Sequence, residues 1–335
     1  MNLLMSRAST GRPAADPDST DDGGKQSRRI DASMLAELAA PLALVLVWLA
    51  FFIATPDFLT TDNISDLLVA SSILVVLALG QQFAVVVAGI DLSVGANLPW
   101  AAALLGYTVS HGHSMAIGVA AALLGGLLVG LVNGFLIGYL GMVDFIVTLG
   151  TLSVVSGITL LLTQGNTVAV SSNFLQSIAL DGAGPVRWFW LIALVGALGT
   201  AFLLFRMRIG THLLAVGGNA EGARGTGIPA RRVRMYAYAG SGLLCGLAGV
   251  MLVARNGGAD PSLQTNYLLS SIAAVVLGGS SLFGGKASVL GSVTGAVLLT
   301  SLVNGFTILG ISQYYQPIAV GAVVLMSALL ARVRE

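Results

Sequence analysis

Apolar stretches of roughly 17 to 25 residues, each closed by a short polar or glycine-rich break, recur from Leu38 to the carboxyl end, and helices of that length cross the hydrocarbon of a bilayer. The pattern predicts ten spans, at residues 38–54, 67–88, 93–109, 115–140, 145–163, 188–205, 235–254, 267–283, 289–309 and 315–331. The third contains Asn97 and Pro99, which marks it as the span most open to a broken or re-entrant course. Ahead of them, residues 1–37 lack apolar periodicity and are rich in Asp, Ser, Gly and Arg, which predicts a disordered cytoplasmic tail and no usual signal peptide. The chain therefore divides into a tail, residues 1–37, and a transmembrane domain, residues 38–335.

Composition agrees with this pattern. Of 335 residues 56% are hydrophobic and 9% charged, and the mean hydropathy is +0.88. Soluble domains carry about 25% charged residues. The expected fold is all-α and polytopic, with about ten transmembrane helices. The placement of charge then fixes an orientation, because Lys and Arg near span ends resist translocation. With the amino end inside, every Lys and Arg of the 16 except Arg187 and Arg255 falls on the cytoplasmic side, and both termini are cytoplasmic. The single cysteine, Cys245, sits in an apolar run and reads as a buried, inert thiol.

The pentapeptide LVNGF stands at 131–135 and again at 302–306, a shift that also pairs Ala102 and Ala103 with Ala273 and Ala274. The copies lie in the fourth and ninth spans, so they would cross in opposite directions, as in an inverted repeat of five plus five spans. Chance repetition in so biased a composition is the competing account. Glycine is abundant, 43 residues, with runs such as GGLLVGLVNGFLIG that suit close helix approach.

Polar side chains inside spans must bond one another or face water. Gln81, Gln82, Asn97, Asn133, Thr148 and Asn304 are the translocation-path candidates, a neutral hydrogen-bonding set suited to a neutral polar solute; the alternative is that each bonds backbone or side chains across helices. Asp91, in AGIDLSVGAN, and Asp144, before the fifth span, read as helix caps with their charge at the cytoplasmic interface.

One polar, basic interruption breaks the second half, a loop over residues 206–234 that holds six arginines against the single acid Glu221. Asn219 is placed to cap a short helix opening at Ala220, Gly227 to end it, and Pro229 to prevent its continuation. From these residues alone the loop is either a handle for a soluble partner or a solvated connection. No phosphate-binding GxxxxGK[ST] motif and no catalytic constellation occur, so no catalytic residue is expected. His111 and His113 form an H-x-H pair without further ligands nearby, so no metal site is expected.

Four segments in this order, GIDLSVG, FIVTLGTLSVVSGI, LAVGGNAEGARGTGIPARRVR and AAVVLGGSSLFGGKASVLG, closely resemble the ribose-type ABC importer permeases. The resemblance runs from about Leu59 to Arg334. It implies a permease subunit in the cytoplasmic (inner) membrane, paired with a second permease copy (itself or a paralogue), served by an extracytoplasmic solute-binding protein, and driven by a separate ATP-binding-cassette ATPase. This chain would bind no cofactor, with ATP and Mg held by the ATPase, and no nucleic acid. Gly217, Gly218, Asn219, Glu221, Ala223, Arg224, Gly227 and Ile228 match the loop by which such permeases dock on the ATPase, and transport would follow by alternating access. The implied cargo is a monosaccharide. Another small solute carried by the same mechanism, such as an amino acid, nucleoside or autoinducer, is the near alternative, and an ion-coupled secondary transporter the distant one. Two departures stand out. NYLLSSIAA has Leu268 and Ser270 where the family often carries acids, and Gly222 and Gly225 replace larger helix formers in the docking loop.

Overall fold

The computed structural model describes residues 32–262 and 264–333. Among them are thirteen α-helices: α1 (Ala32–Ala54), α2 (Thr61–Val86), α3 (Val94–Ser110), α4 (Met115–Gly138), α5 (Asp144–Thr163), α6 (Asn173–Leu180), α7 (Trp188–Arg206), α8 (Arg208–Gly218), α9 (Ala220–Gly225), α10 (Ala230–Asn256), α11 (Thr265–Leu277), α12 (Val289–Ile308) and α13 (Gln316–Val333). A 3-10 turn, Pro56–Leu59, joins the first two. Two short antiparallel ribbons complete the set. In one, β1 (Val168–Ala169) pairs Val168 with Ala259 of β4 (Gly258–Ala259); in the other, β2 (Gly182–Ala183) pairs with β3 (Val186–Arg187).

Each of the ten predicted segments contains a helix. Six of these, α2, α4, α5, α7, α10 and α12, are long and apolar enough to cross a membrane. Several boundaries differ from the sequence reading, among them the start of α2 at Thr61, ahead of the predicted Leu67. Helix α1 already begins at Ala32, so the last residues assigned to the tail are helical; residues 1–31 of that tail lie outside the described residues. Helix α10 opens at Ala230, one full turn before the predicted start, with Pro229 at its N-cap position. The segment at 267–283 is helical only to Leu277, because Gly278 and Gly279 follow and Gly279 has φ +85°, which a continuing helix does not accommodate.

Helices α2 and α10 form the centre. In their most apolar windows 89% and 78% of residues are buried, against 22% to 28% for α4, α5 and α7. The outer helices turn large apolar side chains such as Leu161 and Val195 outward, the arrangement of helices whose surroundings are lipid rather than water. Helix α4 lies directly on α10 along a line of glycines four residues apart. A methyl group at Gly126, Gly130, Gly134 or Gly138 would overlap the backbone of Gly242, Tyr238, Met235 or Arg231 in turn. Close backbone contact replaces side-chain interdigitation there, as small-residue spacing in GGLLVGLVNGFLIG predicts.

Helix α3 is continuous through Pro99. A proline within a helix deprives the carbonyl four residues back of its partner. That carbonyl, on Gly95, accepts instead from the backbone N–H of Gln264 at 3.1 Å.

Candidate functional site

Two features carry the chemistry of this chain: the segment from α8 to the start of α10, and a buried polar turn, residues 87–93, between α2 and α3.

In the first, Asn219 adopts an extended conformation (φ −156°, ψ 98°) that separates α8 from α9, and its side chain accepts from the Gly222 N–H at 2.8 Å. The other end closes with Gly227 at φ +84°. Its N–H donates to the Arg224 carbonyl at 2.9 Å, and the Ile228 N–H donates to the Ala223 carbonyl at 3.0 Å. This paired Schellman closure satisfies the last carbonyls of the helix. The cap, the helix start and the glycine stop are where the sequence placed them. Ala223 is buried under the turn, whereas Glu221 and Arg224 point outward, exposed. Gly217 and Gly218 lie against the neck of the protein. The Gly285 N–H donates to the Val86 carbonyl at 3.0 Å, and a side chain at Gly217 would collide with both groups. The glycine-rich segment 278–288 is thus wedged between the end of α2 and the end of α8. Its neighbours were not readable from the sequence; Gly284 and Gly285, both at positive φ, make the turn that brings it there.

In the second feature the chain leaves α2 at Val86 and turns with Ala88 at φ +60°, one of two non-glycine residues in left-handed conformation among those described. Asp91 then sits 1% exposed. One of its oxygens accepts from the Ser93 N–H (3.0 Å) and Ser93 Oγ (2.5 Å), and the other from Ser241 Oγ of α10 (2.7 Å). The expectation of an interfacial helix cap is therefore corrected. Ser93 occupies the cap position, and Asp91 closes an Asx-type turn ahead of it, buried because hydrogen bonds replace water around the carboxyl group. Asp144 departs from its expected role too. It lies inside the first turn of α5, and its side chain accepts from the Ile90 N–H at 2.7 Å, 54 residues away, rather than capping its own helix.

Of the six path candidates, three converge on this turn. Gln81, with its amide oriented to satisfy both groups, bonds the backbone N–H and C=O of Asp91. Asn133 donates to Ser93 Oγ at 2.9 Å and accepts from Thr151 Oγ1 at 2.6 Å. Thr148 Oγ1 donates to the carbonyls of Asp144 (2.9 Å) and Ile90 (3.2 Å). The other three lie apart. Gln82 accepts from the hydroxyls of Ser280 and Ser292; Asn97 donates to the Gly126 carbonyl; Asn304 and Asn63 exchange amide hydrogen bonds. Every one of the six ties one element to another, the second of the two readings the sequence offered. Gln82 Nε2 and Asn97 Oδ1 are buried without a partner among the described residues, and so is Tyr238 Oη. Ser241, Ser280 and Ser292 escaped sequence reasoning, since a hydroxyl in an apolar run gives no sign of a partner more than a hundred residues away, and so did Tyr238, whose burial beside the turn only the fold reveals.

Among the described residues no three His, Cys, Asp or Glu side chains converge as metal ligands. His111 packs on Tyr107 with the ring planes tilted by 35° and their centroids 4.0 Å apart, and bonds its carbonyl through Nδ1. Cys245 is free and buried.

An apolar helical bundle crossed by a buried polar turn, with six helices long and apolar enough to cross a membrane, fits a polytopic membrane protein. The chain belongs to the family described as branched-chain amino acid transport system / permease component, which it matches over residues 63–329. It is 37% identical over 286 residues to the D-allose transport system permease protein AlsC of Escherichia coli (strain K12), covering 82% of this chain and 85% of that one. It is 33% identical over 310 residues to the ribose import permease protein RbsC of the same strain (90% and 96% covered). The L-arabinose ABC transporter permease protein AraH of Azospirillum brasilense is 32% identical over 296 residues (87% and 87% covered). No solved structure gives a significant match.

Proposed function

We propose that this chain is the membrane subunit of an ATP-binding-cassette importer and carries a monosaccharide inward by alternating access. The observation that carries this reading is the α8–α9 unit, a capped helix α9 with Glu221 and Arg224 exposed, carried on α8, whose end at Gly217 is wedged against α2 and segment 278–288. Such a unit is built to transmit a push, and relatives named as allose, ribose and arabinose permeases supply the cargo class. Gly217, Gly218, Asn219, Glu221, Ala223, Arg224, Gly227 and Ile228 are the ATPase-docking residues. ATP and Mg belong to that partner. A solute-binding protein delivers the sugar on the opposite face, and a second permease copy completes the assembly.

The finer architecture we infer is ten crossings in two inverted halves, with both ends and the α8–α9 segment in the cytoplasm. Its support is the pattern of helix neighbours. Helix α3 packs on α4 and α5 as α11 packs on α12 and α13, and α10 packs on α3 and α4 as α2 packs on α11 and α12. The two LVNGF copies fall in α4 and α12, the pair this symmetry exchanges.

The test is uptake and ATP hydrolysis in the reconstituted complex with Glu221→Ala and Arg224→Ala. Both variants should insert normally and lose coupling between hydrolysis and uptake. Wild-type transport by the pair would remove α9 from the mechanism.

A further inference from the structure

Beside the polar turn is a cavity of about 270 Å³ lined by Asp144, Arg234, Tyr238, Ala88 and Gly89, with the exposed turn at Gly141 and Met142 as its mouth. It lies at the same end of the bundle as α9. We propose that this cavity is a sugar-binding subsite, the last station of the transported monosaccharide on the cytoplasmic side; the proposal rests on the importer reading above.

Four observations carry it. The first is an unpartnered buried group. Tyr238 is 1% exposed, lines the cavity, and its Oη has no hydrogen-bond partner among the described residues. A buried hydroxyl without a partner is costly, and a bound solute is one way to satisfy it. Second, that hydroxyl packs directly against Gly89, where a methyl group would overlap Tyr238 Oη, so only glycine leaves it room in this position. Third, the remaining chemistry is complementary to a polyol. The Asp144 Oδ2 accepts from Ile90 N–H, which leaves Oδ1 as an acceptor; Arg234 supplies donors; the tyrosine hydroxyl does either. Each sugar hydroxyl both donates and accepts, so such a mixed set matches adjacent hydroxyls, while Val87 and Ile137 give apolar wall for the carbon-bound face of the ring. Ligand pockets run from about 300 to 1,000 Å³, so a cavity near the lower limit suits one small solute.

The fourth observation ties the cavity to the energy source. Two of its walls are anchored on the docking segment. Arg234 stands in the first turns of α10, directly after α9. Ala88 and Gly89 follow Val86, whose carbonyl meets Gly285 and Gly217, and Gly284 abuts Ala88. A displacement of α8 and α9 relative to α2 would change the separation of the two walls. The strained φ of Ala88 is the kind of local cost that persists at sites under functional constraint.

The experiment uses cells that express the full-length chain together with its ATPase and solute-binding partners. Initial uptake of labelled D-ribose, D-allose, L-arabinose and L-leucine is measured, normalised to chain present in the membrane. The wild type should accumulate a sugar. Tyr238→Phe and Asp144→Asn should each lower its rate about tenfold, the worth of a hydrogen bond to a buried or charged group. Gly89→Ala should abolish it by filling the cavity. In a second measurement, Met142→Cys at the mouth is labelled with a maleimide in inside-out vesicles, Cys245 being fully buried; the transported sugar should slow labelling, and Tyr238→Phe should remove that protection. Sugar uptake unaltered by the first two substitutions, or labelling indifferent to the transported sugar, overturns the subsite and leaves the importer reading intact. Uptake of leucine and of no sugar overturns the cargo reading and the subsite together.

Discussion

At the scale of single residues, Asp91 bears the greatest consequence. Its carboxyl group accepts three hydrogen bonds in a place water does not reach, and Ser93 extends the connection through Asn133 to Thr151. Removing the acceptor strands several donors, whereas removing one donor leaves the acid two others. Asp91→Ala should therefore destabilise the detergent-solubilised protein by about 3 kcal/mol. Ser241→Ala should cost about 1 kcal/mol, the range of single interhelical hydrogen bonds in membranes. Unfolding in mixed detergent micelles reads both, and equal losses would contradict this apportionment. The sequence offered Asp91 as a notable residue but gave its charge the wrong setting. The D-x-S spacing signals a local turn, while the partner that permits burial, Ser241, lies 150 positions away.

At the scale of elements, legibility followed the range of the interactions. The cap at Asn219 and the stop at Gly227 act within a few residues, and the helix they bound was readable from GGNAEGARGTGIP. Its stability rests on those two ends. Asn219→Ala should cost about 1 kcal/mol of local stability, and Gly227→Val, which forces a β-branched residue to positive φ, somewhat more. Hydrogen exchange at the amides of Gly222 and Ile228 should accelerate in the respective variants and stay unchanged in α12. The glycine line of α4 was likewise legible as a packing surface. Its partner was not, because periodicity identifies a face and says nothing of what covers it. Gly134→Leu would push α4 from Met235 and should unsettle α10, with lowered yield of folded protein in the membrane as the readout. The ends of α11 show the reverse failure. An apolar run reaching Phe283 promised a full span, but Gly278, Gly279, Gly284 and Gly285 convert its last third into a tight turn that meets the end of α8.

At the scale of the whole molecule, the contrast between buried α2 and α10 and their exposed neighbours divides the chain into a buried centre and an exposed sleeve. Orientation belongs to this scale. A single cysteine introduced at Thr226 should react with an impermeant maleimide only in inside-out vesicles, and one at His113 only in right-side-out vesicles. The opposite result would invert the assignment of every loop. Composition was sufficient to place the chain in a membrane, and segment order was sufficient to suggest its family. The polar turn and the cavity beside it lay beyond such reading, since they arise where α2, α4, α5 and α10 meet.

The hydrogen bond from Gln264 to the Gly95 carbonyl bears on how the protein is made. Ribosomes add about 5–20 residues per second, so Gly95 is synthesised roughly 8 to 34 seconds before its stand-in donor Gln264. During that interval the nascent amino-terminal half holds a bare carbonyl and an acid still lacking Ser241, inside or beside the translocon. A chain released after α5 should therefore be a substrate for membrane quality-control proteases, and co-expression of the missing half should rescue it.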